Sequence, residues 1–166
     1  MKIRLAGIVE ESIVDGPGIR YVLFTQGCHH NCFKCHNPLT HDVNKGYLKD
    51  IDEILYDISR KPYLSGITIS GGEPFLQIEE CYQLLKKLPT DIEVIVYTGF
   101  TYEKLLEFAE DNQKLLYILN RINYLIDGKF NYKLRDLELK YIGSSNQRII
   151  DIKKTILNKK LTLISM

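Results

Sequence analysis

Short β-type runs alternate with amphipathic helical patterns along most of the chain, beginning near residue 20. The β-type runs occupy residues 20–26, 66–70, 93–98 and 124–127, and a glycine directly follows each of them. Parallel strands need a long crossover connection, which is usually a helix. The alternation therefore predicts βαβ units and a largely parallel sheet.

Helical patterns fill the intervals between these strands. Asp50 is a predicted N-cap, with Glu53 three residues later as in a capping box, and the apolar residues behind it recur at helical spacing. Two further helices are predicted at 77–88 and 102–109. A last helix is predicted from three isoleucines at helical spacing, with a cap just before them: Ile149, Ile152 and Ile156, capped by Ser145 or Asn146.

The length of 166 residues limits how far such a sheet can close. A complete eight-fold β/α barrel takes about 250 residues. We therefore expect a partial, open β/α barrel with a mostly parallel curved sheet, formed as a single domain over residues 1–166. Ligands of such sheets bind beyond the carboxyl ends of the strands, which is where the unusual residues of this chain lie.

Charge and hydropathy exclude several classes of partner. The 22 basic and 21 acidic residues leave a net charge of +1, so nucleic acid and anionic membranes are not expected partners. No run of about 18 apolar residues is present, and the first ten residues make a poor secretory signal. We expect a cytoplasmic protein.

Three of the four cysteines fall within eight residues, as Cys28, Cys32 and Cys35. Three thiolates on one loop can hold three corners of a [4Fe-4S] cluster and leave the fourth iron open to an outside ligand. Zinc is the competing interpretation, and a purely structural role is the weakest. All four histidines lie in the same loop and could complete a zinc site: His29, His30, His36 and His41.

Cys81 differs from the other three cysteines. It shares the apolar face of the predicted second helix with Ile78, Tyr82 and Leu85. Free cysteine is among the most buried residue types. We therefore expect Cys81 to pack in the core, which leaves the chain one thiolate short of a fully ligated cluster.

Several motifs carry a resemblance to a known family. The SGGEP segment at 70–74, together with the cysteine motif one strand earlier, resembles the radical S-adenosylmethionine superfamily. The GPGIR segment at 16–20 before the cysteines is similar to the signature of glycyl-radical-enzyme activases. The DGKF segment at 127–130 and GSSNQR at 143–148 resemble the activases of anaerobic (class III) ribonucleotide reductase.

The resemblance implies two cofactors, a [4Fe-4S] cluster on the three cysteines and S-adenosylmethionine chelating the open iron. It implies no side-chain general base. Asp127 and Lys129, at a strand end, are expected to contact the ribose or carboxylate, or else to form a solvated turn. Asn146 and Arg148 are expected to be a helix cap and a surface charge, or partner contacts. Five residues are predicted to contact S-adenosylmethionine through the third cysteine's neighbours or the glycine turn: Lys34, His36, Gly71, Gly72 and Glu73.

The resemblance also implies partners and a reaction. Reductive cleavage of S-adenosylmethionine gives methionine and a 5′-deoxyadenosyl radical, which takes hydrogen from a glycine Cα of the reductase. A low-potential donor such as flavodoxin or ferredoxin is expected to supply the electron.

Four alternatives stay open at this point. Activation of pyruvate formate-lyase uses the same chemistry, as does a small radical enzyme acting on a pterin-like molecule. A zinc-binding interaction module without activity belongs to a different class. An electron-transfer protein of ferredoxin type is disfavoured because three cysteines leave its cluster incomplete.

Overall fold

A computed structural model describes residues 1–166 and contains one seven-stranded sheet with the order β3-β1-β2-β4-β5-β6-β7. The strands are β1 (Lys2–Ser12), β2 (Arg20–Thr25), β3 (Tyr47–Asp50), β4 (Gly66–Gly71), β5 (Glu93–Tyr97), β6 (Tyr124–Asp127) and β7 (Arg148–Asp151). The helices are α1 (Ile51–Ser59), α2 (Ile78–Lys87), α3 (Tyr102–Glu110), α4 (Gln113–Arg121) and α5 (Ile152–Asn158). No helix combines the length and the apolar character that crossing a membrane requires.

The predicted parallel strands form the middle of this sheet. Strands β2, β4, β5 and β6 are parallel neighbours, and helices connect β4 to β5 and β5 to β6. Strands β1, β3 and β7 add to the edges in antiparallel orientation. The sheet is therefore mixed α/β with a parallel centre, β3 and β7 are its outermost strands, and residues 162–164 hydrogen-bond along the outer side of β7.

The predicted last helix is wrong in its first half. Residues 148–151 form β7, which pairs with β6, and α5 begins only at Ile152 with Asp151 as its N-cap. Ile149 and Ile150 face opposite sides of the sheet, which a β-branched pair on a strand does readily. The N-cap predicted at Asp50 is confirmed, because its carboxylate accepts a hydrogen bond from the Asp52 amide at 2.9 Å.

The two faces of the sheet are covered differently. All five helices pack on one face, where alternate strand residues such as Leu23, Ile69 and Val96 join a core of 26 buried side chains. The opposite face carries only a small cluster around Ile95 and Ile126, covered by loops and the last residues of the chain. The loop-covered face therefore leaves room for a cavity.

The turn between β1 and β2 folds onto this second face. Arg20 is fully buried, and its guanidinium donates to the Pro17 carbonyl at 3.3 Å and to the Glu93 carboxylate at 2.8 Å. Gly16 has a φ of +136°, and a Cβ there would lie 2.7 Å from Arg20 Cδ. The GPGIR segment is thus a tight turn in which the buried Arg20 donates a hydrogen bond back to the Pro17 carbonyl.

Candidate functional site

The largest concentration of chemically capable residues surrounds a cavity of 320 Å³ at the carboxyl ends of the parallel strands. The loops that follow β2, β4, β5 and β6 all contribute to its wall. Six of the predicted site residues line it: Cys28, Cys32, Cys35, His36, Gly71 and Gly72. Four do not line it, namely Lys34, Glu73, Asp127 and Lys129.

The three cysteines lie on one loop that is closed at its base. The Gly27 amide donates to the Thr40 carbonyl at 2.7 Å, and the Cys28 amide donates to the His41 carbonyl at 3.1 Å. Within the loop the Asn37 amide donates to Cys35 Sγ at 3.4 Å. We call residues 28–41 the cluster loop. All three cysteines of this loop line the cavity.

All three cysteines of the cluster loop are half-buried. Burial raises the pKa of the Cys28 and Cys32 thiols, so without a metal they stay protonated at neutral pH. A tetrahedral zinc site needs four ligands around one ion, whereas thiolates on a cubane each bind a different iron. The three cysteines therefore fit a [4Fe-4S] cluster.

The prediction for the fourth cysteine is confirmed. Cys81 is 2% exposed in the helix-covered core, and its thiol donates to the Pro74 carbonyl at 3.5 Å. It cannot supply a fourth thiolate to the cluster loop without leaving the core.

The glycine turn after β4 faces the cysteines. A Cβ on Gly72 would lie 2.2 Å from the Gly27 carbonyl oxygen, and one on Gly71 would lie 2.5 Å from the Thr25 amide nitrogen. Gly71 also has a φ of +100°, which favours glycine. The Gly72 amide donates to the Thr25 carbonyl at 2.8 Å, while the Gly72 carbonyl accepts no hydrogen bond from the protein. A free carbonyl beside the cavity suits an ammonium group.

Glu73 is the next residue of this turn, but its side chain does not line the cavity. Its carboxylate is 1% exposed and accepts hydrogen bonds from the Thr98 hydroxyl, the Gly99 amide and the Phe75 amide at 2.9–3.0 Å. His30 Nε2 lies 2.6 Å from the same carboxylate. Direct contact between this side chain and a cofactor stays a prediction, and the structure gives the carboxylate other partners.

The DGKF and GSSNQR segments meet at the far wall of the cavity. His36 packs against Phe130 with ring centroids 4.5 Å apart, and a Cβ on Gly143 would lie 3.0 Å from His36 Cε1. Gln147 joins the two segments, because it accepts from the Gly143 amide at 2.9 Å and donates to the Gly128 carbonyl at 3.0 Å. Both motifs therefore contribute to the part of the cavity wall that contacts His36.

Lys34 and Lys129 lie outside this wall. Lys34 Nζ stands 4.2 Å above the centre of the Tyr132 ring and donates to its hydroxyl at 3.2 Å. Lys129 is exposed in a shallow groove that also contains Phe33 and Tyr132. Their predicted cofactor contacts stay predictions.

Asp127 is neither exposed nor part of a solvated turn, which corrects that alternative. Its carboxylate is 1% exposed, pairs with Arg148 Nε at 2.9 Å and accepts from the Tyr102 amide at 2.8 Å. Arg148 is thus the partner of a buried carboxylate, and the expectation of a plain surface charge is wrong. Asn146 caps no helix and instead donates to the Lys129 carbonyl at 2.9 Å.

Several cavity residues were not predicted. Asp15 and Val14, in the turn after β1, line the cavity, as do Tyr141 and Ile142 before the GSSNQR segment. The neighbouring motifs at 16–20 and 143–148 were the signals that could have located them. From the sequence alone His30 is expected only as a possible zinc ligand, and the structure places it against Glu73 instead.

Comparison with known proteins agrees with this site. A family model described as a 4Fe-4S single cluster domain matches residues 14–150. The anaerobic ribonucleoside-triphosphate reductase-activating proteins of Salmonella typhi and Escherichia coli K12 are each 34% identical over 144 residues, covering 81% of this chain and 90% of the relative. A pyruvate formate-lyase-activating enzyme of Staphylococcus epidermidis is 44% identical over 94 residues, covering 53% of this chain and 38% of that enzyme.

The solved structure of QueE from Escherichia coli matches with a TM-score of 0.44 and 18% identity over 61% of this chain and 54% of that chain, a likeness too weak to define the fold. The family model and the two near full-length relatives show the family without this structure. The chain belongs to the 4Fe-4S single cluster domain family and, within it, to the activating proteins of anaerobic ribonucleoside-triphosphate reductase.

Proposed function

We propose that the protein activates anaerobic ribonucleoside-triphosphate reductase by generating a glycyl radical on it. The observation that carries this proposal is the placement of three cysteine thiols and a glycine turn around one cavity, with the fourth cysteine buried elsewhere. When bound, the [4Fe-4S] cluster supplies the electron that cleaves S-adenosylmethionine and so produces the radical that removes hydrogen from a glycine Cα. Positioning, not acid–base chemistry, is the task left to the side chains.

Each residue group has a proposed part in this positioning. Cys28, Cys32 and Cys35 would hold the [4Fe-4S] cluster through three of its irons, and the lack of a fourth protein ligand would leave one iron for the amino acid part of S-adenosylmethionine. No protein group donates a hydrogen bond to the Gly72 carbonyl, and we propose that the methionine ammonium group does so. His36 lines the cavity with its ring against Phe130, and we place it in contact with the cofactor.

The remaining predicted contacts are proposed with narrower roles. Lys34 contributes through its backbone, because its ammonium group is engaged with Tyr132. Glu73 contributes through its place in the glycine turn, since its carboxylate is buried among other donors. The ribose or carboxylate contact is proposed for Asp127 and Lys129 as well, although the Asp127 carboxylate is paired with Arg148 and Lys129 is exposed.

The architecture supports a macromolecular substrate. We propose that the sheet forms a partial barrel within a single domain over residues 1–166, with its loop-covered face as the inside. The cavity is open to one side and contains both apolar and polar groups, including Phe24 and Asp15. A polypeptide loop of the reductase can enter such an opening, while a low-potential donor such as flavodoxin or ferredoxin reduces the cluster from outside.

The experiment is anaerobic incubation of the reduced, cluster-loaded protein with S-adenosylmethionine and one candidate target at a time. Electron paramagnetic resonance then reads the glycyl radical. We expect a doublet signal with anaerobic ribonucleoside-triphosphate reductase and none with pyruvate formate-lyase. A signal with pyruvate formate-lyase alone would assign the protein to the other activation reaction, in spite of the partial coverage of those enzymes.

A further inference from the structure

The buried Glu73 carboxylate connects three parts of the site. Glu73 lies just after β4, and its oxygens accept from the Thr98 hydroxyl at 2.9 and 3.0 Å and from the Gly99 amide at 2.9 Å, both just after β5. The third part is the cluster loop, whose His30 Nε2 lies 2.6 Å from Glu73 Oε2. A carboxylate with this many donors and 1% exposure has no acceptor position left for a ligand.

His30 is held in a fitted slot. Its ring packs edge-to-face on Phe100 with centroids 4.6 Å apart. A Cβ on Gly99 would lie 2.4 Å from His30 Cδ2, so the absence of a side chain at residue 99 makes room for the ring. The His30 side chain is 10% exposed although it lies on a loop, whereas the adjacent His29 is exposed and makes no hydrogen bond.

We infer that His30 is a positioning residue whose hydrogen bond to Glu73 fixes the cluster loop relative to the glycine turn. His30 lies midway between Cys28 and Cys32, so a tether at this point orients two of the three thiols. The backbone supports the same geometry, because the Glu73 amide donates to the Gly27 carbonyl at 2.7 Å. This inference rests on the proposed function and adds that Glu73 acts through His30 and not on the cofactor.

The consequence concerns the distance between the iron that S-adenosylmethionine chelates and the Gly72 carbonyl. The three cysteines would set the position of the iron, and β4 sets the position of the Gly72 carbonyl. Apart from the His30–Glu73 contact, the cluster loop and the glycine turn are connected mainly by backbone hydrogen bonds at the base of the loop. Partners that orient metal ligands typically change metal affinity or activity about 10–100-fold when they are removed. Loss of the tether is therefore expected to weaken S-adenosylmethionine binding before it prevents cluster assembly.

The test compares His30→Gln with His30→Leu in the full chain. The two replacements are similar in size, but only glutamine retains a side-chain N–H for Glu73. His29→Leu is the matched control, since it alters the neighbouring loop residue without touching the tether. Each protein is reconstituted anaerobically, its iron content is measured, and S-adenosylmethionine is titrated while the resonance signal of the reduced cluster is followed.

We expect His30→Leu to hold a cluster but to need about tenfold more S-adenosylmethionine for the signal change. His30→Gln and His29→Leu are expected to stay within about threefold of the unaltered protein. The double variant His30→Leu with Glu73→Gln is expected to be no weaker than the weaker single variant, since the pair acts as a unit. Equal behaviour of the leucine and glutamine variants would overturn the inference.

Hydrogen exchange of the metal-free protein separates positioning from folding. His30→Leu is expected to speed exchange only in the cluster loop, for example at the Cys28 and Cys35 amides, which are hydrogen-bonded in the structure. Faster exchange throughout the sheet would show a general folding role and would also overturn the inference. If the unaltered protein fails to bind S-adenosylmethionine at all, the proposed function fails, and that outcome is separate from any difference between the variants.

Discussion

The guanidinium of Arg148, at the start of β7, pairs with the buried carboxylate of Asp127, at the end of β6, with Nε and Oδ1 2.9 Å apart. The same carboxylate accepts from the Tyr102 amide at 2.8 Å and so meets the first turn of α3. Arg148 also contacts Glu103 on that helix at 2.7 Å. One ion pair thus joins the DGKF and GSSNQR motifs and fixes a helix beside the cavity.

Replacing Arg148 tests how much this ion pair contributes to the free energy of unfolding. Arg148→Ala leaves the Asp127 carboxylate buried without its cation, and removing one partner of a buried pair costs about 3 kcal/mol or more. Urea unfolding of the metal-free protein measures the free energy of unfolding. Lys154→Ala is the control, because Lys154 is an exposed partner of Asp151 and is expected to change that free energy by less than about 1 kcal/mol. Equal losses in the two variants would contradict the account.

Acid is expected to weaken the Arg148 contact with Glu103. The hydrogen bond from Arg148 holds the pKa of Glu103 below its ordinary value of 4.5. Because the folded-state pKa is lowered, this contact stabilises the fold above pH 4.5 and is lost as the pH falls through the folded-state value. Glu103→Gln should therefore be less stable than the unaltered protein at pH 7, with the difference shrinking below about pH 4.

The measurement is the midpoint of urea unfolding from neutral to acid pH. Glu110→Gln serves as the control, since Glu110 lies on the same helix and forms no ion pair. A constant difference between Glu103→Gln and the unaltered protein at every pH would count against this contact.

Gly72→Ala is expected to disturb the glycine turn. The added Cβ would lie 2.2 Å from the Gly27 carbonyl oxygen, directly below the cluster loop. Such overpacking costs about 2 kcal/mol of stability, and the displaced turn should weaken S-adenosylmethionine binding about tenfold or more. Gly7→Ala is the control because a Cβ there meets no atom within 4 Å. Isothermal titration of the reconstituted proteins compares the two, and equal affinity would refute the role of this turn.

Alkylation should distinguish the four cysteines. Burial raises the pKa of Cys81 to about 12, so about one part in ten thousand is thiolate at pH 8. In metal-free native protein we expect iodoacetamide to modify Cys28, Cys32 and Cys35 and to leave Cys81 unmodified. Mass spectrometry should find all four modified after denaturation. Modification of Cys81 at the rate of the others in native protein would contradict its place in the core.

The parallel centre of the fold could be predicted because its signals are local. Each predicted strand lies within one residue of the observed one, and the glycine after each marks the turn into the cavity. Strand β1 and strand β3 were not predicted because their stability depends on pairing with each other and with β2, which is a non-local property. Helix α4 was likewise not predicted.

The sequence predicts the cysteines and the double glycine of the site, but not the hydrogen-bond partners that hold the surrounding loops in place. The spacing of the cysteines and the double glycine carry their chemistry in the sequence itself. The partners of Glu73 and Asp127 depend on which loops the sheet brings together, and no local pattern reports a contact between residues 43 positions apart such as His30 and Glu73. Ile149 and Ile152 fit helical spacing. Ile149 nevertheless lies on a strand, because residues 148–151 pair with β6.

The proposed activity requires that Cys28, Cys32 and Cys35 hold a [4Fe-4S] cluster with one iron open to S-adenosylmethionine. Mössbauer spectroscopy of the anaerobically reconstituted protein tests it directly, with and without S-adenosylmethionine. We expect a four-iron cluster in which one iron site alone changes when S-adenosylmethionine is added. We also expect the cluster to be lost in serine variants of Cys28, Cys32 or Cys35 but not in Cys81→Ala. Four iron sites that do not respond, or protein that takes up zinc and forms no cluster, would contradict it.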